Sequence, residues 1–181
     1  GIRPAIGNSI WIRLFSHLGK GITITADKIV LNSPQYSIFS GRGKDKKFEV
    51  TLDAQNIDIT GTIFGYNGDI IITPRTEGEV NISAPAQGED SISLEAGSRL
   101  TAELKKMQIT GKINVDGEGT SLLANMTGDS SISLREGSSS TVAIEARNGG
   151  RVELNMRGAN SSITGDVKTG TGQNASITAN L

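Results

Sequence analysis

Few side chains in this sequence could do covalent chemistry. There is one histidine, His17, and no cysteine. A nucleophile and its base would therefore have to be built around that single imidazole, or from carboxylates and lysines. The stretch TGDSS at 127–131 sets Gly128-Asp129-Ser130 in an order seen around reactive serines. The next letters are SISL, a strand pattern, and His17 sits far away in an apolar segment, so the motif reads as a turn. Two acid pairs, Glu89-Asp90 and Asp116 with Glu118, are hard oxygen ligands of the kind calcium takes. They lack the repeated Gly-Gly-x-Gly-x-Asp of calcium-binding coils and read as solvated loops. Asp53 and Asp58 lie in neighbouring strand-like segments. They would suit polysaccharide cleavage only if they converged on one face. No catalytic residue, metal ligand or cofactor is assigned. GRGKDKK at 41–47 is a basic interruption of the pattern. It reads first as a solvated insertion. Its functional reading is a weak binding site for acidic glycans or a partner surface, through Arg42, Lys44, Lys46 and Lys47, because such loops commonly carry binding.

The elements that must position these residues are short. Segments such as ITIT (22–25), FEVTL (48–52), NIDIT (56–60), EVNIS (79–83), KINV (112–115) and RVELNM (151–156) put Ile, Val or Leu at every second position. In a strand such side chains share one face. Gly, Asn, Asp and Ser separate the segments, which is turn chemistry. After the first twenty residues the best helical rival is SRLTAELKKMQIT (98–110), with Leu100 and Leu104 at helical spacing. Thr101 and the period-2 neighbours favour strand. Apolar content is 35%, aromatic content 4% and net charge −1. That balance does not point to nucleic acid or a membrane surface, and no apolar run is long enough to span a bilayer as a helix. The lack of cysteine suits a secreted chain, whose export signal would lie upstream of the opening GIRPAIG.

Repeats decide among all-β architectures. Ile-Thr-Gly occurs at 59–61, 109–111 and 163–165, while SISLEAG (91–97) and SISLREG (131–137) match at an offset of forty. Both spacings suggest whole numbers of turns of a coil of about twenty residues or a little more. The expectation is a parallel β-helix (solenoid) over 21–181, with roughly eight coils and a length on the order of 40 Å. Ile109 should point inward, Thr110 outward, and Gly111 should form a sharp corner, with Ile113 and Val115 resuming the inward face. Residues 1–20 form either a short capping helix, with Trp11, Leu14, Phe15 and Leu18 at i, i+3, i+4 and i+7, or a first strand. The chain stops in mid-pattern at NASITANL and reads as a piece of a longer solenoid.

The lines GITITADKIVLNS (21–33), FEVTLDAQNIDITGTI (48–63) and SSITGDVKTGTGQNASITANL (161–181), with the Ser/Thr/Asn/Gly-rich texture, resemble the passenger region of bacterial autotransporter adhesins. The resemblance implies a right-handed parallel β-helix displayed on the bacterial surface by an outer-membrane barrel outside this sequence. It also implies a role in adhesion, aggregation or biofilm formation, through a host or bacterial glycan or protein ligand. Some relatives carry a serine protease domain; here the Gly and Pro that follow their reactive serine are missing.

Charge is distributed unevenly. Residues 1–50 carry eight Lys/Arg and three Asp/Glu, residues 51–100 carry two and eight, and residues 101–181 balance. Two rods could pair with an offset, basic end to acidic band. The first reading is thus a non-enzymatic adhesive rod that self-associates and makes many weak polar contacts. Alternatives are a carbohydrate-active β-helix enzyme and a trimeric phage tail-fibre coil.

Overall fold

The computed structural model describes residues 21–41, 47–74, 77–172 and 174–181. The helix-or-strand alternative for residues 1–20 lies outside them. The described chain is all β and winds into a parallel β-solenoid of six turns, with a seventh begun. Each turn has three faces. The first two strands, β1 (Gly21–Ser40) and β2 (Glu49–Tyr66), bend through all three. Thereafter each face has its own strand. The third turn holds β3 (Asp69–Ile72), β4 (Glu79–Ser83) and β5 (Asp90–Glu95). The fourth holds β6 (Arg99–Leu104), β7 (Lys106–Thr110) and β8 (Lys112–Asp116). The fifth holds β9 (Ser121–Met126), β10 (Ser131–Ser133) and β11 (Val142–Arg147). The sixth holds β12 (Arg151–Met156), β13 (Ser162–Thr164) and β14 (Asp166–Thr169), and β15 (Ser176–Asn180) opens the seventh. The rival helix at 98–110 is β6 and β7. Among the described residues no helix is long and apolar enough to cross a membrane.

Parallel pairing in register stacks like on like. On the third face Ile38, Ile63, Ile92, Ile113, Ile144 and Val167 form one column. On the second, Leu31, Ile59, Ile82, Ile109, Ile132 and Ile163 form another. Through the fifth turn the inner Ile and Leu residues of these columns are almost fully buried, each contributing about 1.5–3 kcal/mol of apolar burial, whereas on the sixth turn Ile163 is only partly buried and Val167 is exposed. β-Branched side chains suit this pleated surface. No single turn encloses a core, so each turn depends on its neighbours.

The turns number six and a fraction rather than eight, because each uses about 20 to 30 residues once its loops are included. At the usual strand spacing of ~4.8 Å the rod is about 30 Å long. The forty-residue match is not a coil repeat. Ser91–Leu94 lies on the third face and Ser131–Ser133 on the second, so the same letters serve different sides.

The Ile-Thr-Gly spacing has a specific cause. Gly61, Gly111 and Gly165 all form the corner between the second and third faces, on the second, fourth and sixth turns, with φ of 113°, 132° and 121°. On the intervening turns the same corner is a wider segment: 33–35, 84–89 and 134–141. The repeating unit is therefore two turns, about fifty residues. A tight glycine corner nests on the turn below. A Cβ on Gly111 would sit 2.6 Å from Ala84 Cβ and 3.1 Å from Glu89 O. Ser37 and Ser91 beneath these corners donate to Gly61 O (3.0 Å) and Gly111 O (3.2 Å). As expected, Ile109, Ile113 and Val115 are buried and Thr110 faces outward beside its glycine.

Candidate binding surfaces

The outward residues of the second face form regular polar columns. One column runs Asn32, Thr60, Ser83, Thr110, Ser133, Thr164, and its neighbour includes Asp58, Asn81, Gln108, Ser131 and Ser162. Strand pairing spaces these hydroxyls and amides evenly along the rod. The arrangement offers repeated donors and acceptors on a flat surface, with no deep pocket among them.

Cross-turn bonds tie down many of the acids singled out in the sequence. Asp58 pairs with Lys28 (3.3 Å) and accepts from Asn81 Nδ2 (2.9 Å) on the second face, whereas Asp53 lies on the first. The two carboxylates therefore do not converge. Asp116 accepts from Asn148 Nδ2 (2.7 Å) and pairs with Arg147 (3.2 Å). Asp129 accepts from the side chain and backbone N–H of Asn160, both at 3.0 Å, and these bonds hold its pKa below the usual aspartate value. Ser130 is buried in the same corner. Its Oγ donates to Gly128 O (3.1 Å) and accepts from Met107 N–H (3.0 Å), so the hydroxyl is part of the corner's own bonding. Among the described residues no three His, Cys, Asp or Glu side chains gather as a metal would require.

The third face changes character along the rod. Towards the fifth turn it carries a half-buried ion pair, Lys112 Nζ to Glu145 Oε2 at 2.6 Å. The Lys112 hydrogen bond lowers the Glu145 pKa, while burial raises that of Asp90, the register partner of Lys112. On the first two turns the same outward column is Phe39 and Phe64. Their rings lie 4.9 Å apart, and Tyr36 packs on both, edge-on to Phe39 at 5.9 Å and tilted on Phe64 at 5.5 Å. Tyr66 follows on the same face. Tyr36 and Tyr66 are 39% and 42% exposed. Of the five aromatic residues described, four thus stand on one outer face, and only Phe48 is buried in the core. The sequence reading missed this patch. Its signal was present: every aromatic residue of the chain lies before residue 67, and Tyr36, Phe39, Phe64 and Tyr66 fall in strands whose neighbouring inner positions are filled by Ile38 and Ile63.

Of the basic loop, Arg42, Lys44 and Lys46 lie outside the described residues. Lys47 is exposed at the corner between the third and first faces, 3.9 Å from Asp69 Oδ1, too far for a hydrogen bond. A groove of about 480 Å³ lies at the corner between the first and second faces. It is bounded by Pro74, Glu77, Glu103, Lys105, Thr127 and Arg157 over Leu104 and Met126. Residues 75–76, next to its rim, lie outside the described residues. A second, of about 270 Å³, lies at the opposite end of the second face between the 33–35 and 84–89 segments.

Against known protein families, curated proteins and solved structures, the chain finds no match.

Proposed function

We propose that this chain is a non-catalytic adhesive rod displayed outside the cell, of the kind its resemblance to autotransporter passengers implies. The observation that carries this reading is the in-register outer column of hydroxyls and amides on the second face. A repeated polar array makes many shallow contacts, each weak, that add through avidity when rods are crowded on a surface. The stacked interior supports it: a rod whose turns all share one core can present that array without bending. The absence of cysteine agrees with export.

The test is attachment of beads coated with the purified chain, to cell monolayers and to one another, at ~0.05 and ~0.5 M salt. Retention or clumping several-fold above albumin-coated beads supports the reading. Retention equal to albumin on every surface defeats it.

A further inference from the structure

The two-turn repeat creates a notch above a glycine corner wherever the wide segments of the turns on either side overhang it. Two such notches are described. Over Gly111 the notch is bridged by the protein itself. Arg135 Nη1 donates to Ala86 O (2.6 Å), and Glu89 accepts from Ser138 Oγ, Ser139 N–H (3.2 Å) and Ser139 Oγ (3.3 Å). Over Gly61 no such bridge is formed among the described residues, and the space is the 270 Å³ groove lined by Pro34, Gln35, Tyr36, Thr62, Pro85 and Gln87.

We infer that the notch over Gly61 is a binding site for one or two rings of a neutral saccharide, an assignment that rests on the adhesive reading and gives it a ligand class. Three features of the notch select this chemistry. First, among the described residues no charged side chain lines it. An ionic ligand would lose hydration there with nothing opposite to compensate. Second, its aromatic wall is fixed in advance. Phe39 and Phe64 hold the Tyr36 ring from one side, so little side-chain freedom is lost on binding. A pyranose has an apolar C–H face that removes water from such a ring, and its hydroxyl rim remains available for hydrogen bonds. Third, Gln35 and Gln87 stand exposed at the rim. Each amide can both donate and accept, which matches vicinal hydroxyls. An apolar peptide seated here would bury those amides without partners, at a cost a sugar avoids. The volume falls just under the ~300–1,000 Å³ of small-molecule pockets, which limits the occupant to a chain end or a single branch.

The test is saturation-transfer NMR on the whole chain with neutral glucose, galactose and mannose trisaccharides and with one sialylated trisaccharide. Tyr36→Ala, Gln87→Ala and, as a control outside the notch, Tyr66→Ala are examined beside the unaltered chain, with circular dichroism to verify folding. The expected result is transfer to ring protons of at least one neutral sugar. Tyr36→Ala should weaken affinity at least tenfold and Gln87→Ala about threefold, with Tyr66→Ala unchanged. Gln87 is exposed, so its variant reports on the site even if Tyr36→Ala loosens the aromatic cluster. No transfer to any neutral sugar would overturn the assignment, as would undiminished binding in folded Tyr36→Ala and Gln87→Ala. So would binding confined to the sialylated sugar and abolished in ~0.5 M salt, which would mark a cationic site. Bead adhesion without neutral-sugar binding would sink the notch and leave the adhesive rod standing; sugar binding without adhesion would do the reverse.

Discussion

Glycine 111 shows how closely a single residue can be constrained in a coil. Its φ of 132° belongs to a region where side chains are strained, and the position of its missing Cβ is already occupied by Ala84. Gly111→Ala should cost about 3 kcal/mol, the sum of backbone strain and overlap. Gly97 also has positive φ, at 82°, but a Cβ there meets nothing within 4 Å. Gly97→Ala should therefore cost only ~1 kcal/mol, from the backbone alone. Urea midpoints of the two variants, compared at equal slope, decide whether packing or φ dominates at Gly111. A second residue-scale expectation concerns Glu89. Its pKa is lowered chiefly by the Ser138 hydrogen bond, then by the Ser139 N–H, with Arg135 adding a smaller attraction. A depressed carboxylate contributes its stabilisation above its ordinary pKa and loses it as pH falls through the lowered folded value. The bridge over Gly111 should thus be intact at neutral pH and open in acid. The protection factor of the Ser139 amide should fall as pH drops below the usual glutamate range, and Glu89→Gln should lower it already at neutral pH.

At the scale of elements, the outer faces are held by bonds that climb from turn to turn. Asn180 donates to Asn155 (2.6 Å), Asn155 to Asn125 (2.7 Å) and Asn125 to Glu103 (2.6 Å), a ladder along the edge of the first face. In-register parallel strands make such ladders possible, because identical positions on successive turns lie one strand spacing apart. The same device recurs where Asn81 meets Asp58 and Asn148 meets Asp116. It places Glu103, Asp58 and Asp116 in regular use as rungs between turns. Asn125→Ala and Asn155→Ala should each destabilise by about 1 kcal/mol. Because the two share a bond, the double variant should cost less than the sum, and a double-mutant cycle measures the difference. Fully additive losses would show that the ladder does not act as a unit. Much of this was legible as strand alternation, but not the ladder itself. It joins residues 22 to 30 apart, and the loop lengths that bring them level cannot be read from strand periodicity.

For the whole molecule, the uneven charge has two outlets. Within the chain, Lys28 meets Asp58 and Lys47 approaches Asp69, so cations of the first turn partly neutralise acids of the second and third. These pairs are exposed and individually weak. Six of the eight Lys/Arg of residues 1–50 lie outside the described residues, and the offset pairing of rods is a proposal that rests on the sequence totals. Sedimentation velocity should show concentration-dependent dimers at ~0.05 M salt that dissociate at ~0.5 M. A monomer at both salts would remove the pairing mechanism, and a salt-resistant trimer would favour a fibre-like assembly.

The sequence alone determined the period-2 pattern, the parallel solenoid and the corner role of the Ile-Thr-Gly glycines. Each of these follows from local chemistry: which side chains alternate, and which backbone angles only glycine adopts easily. It also placed Gly128-Asp129-Ser130 correctly in a turn. Tertiary structure alone decided the number of turns and the two-turn unit. It also showed that SISL at 91 and at 131 lie on different faces, because loop lengths set where each strand lands and identical letters can land on either side. The aromatic face and the notch over Gly61 belong to the same class. Phe64 lies twenty-five residues beyond Phe39 and meets Tyr36 and Phe39 only when the second turn stacks on the first, and a notch exists only where two wide corners enclose a narrow one.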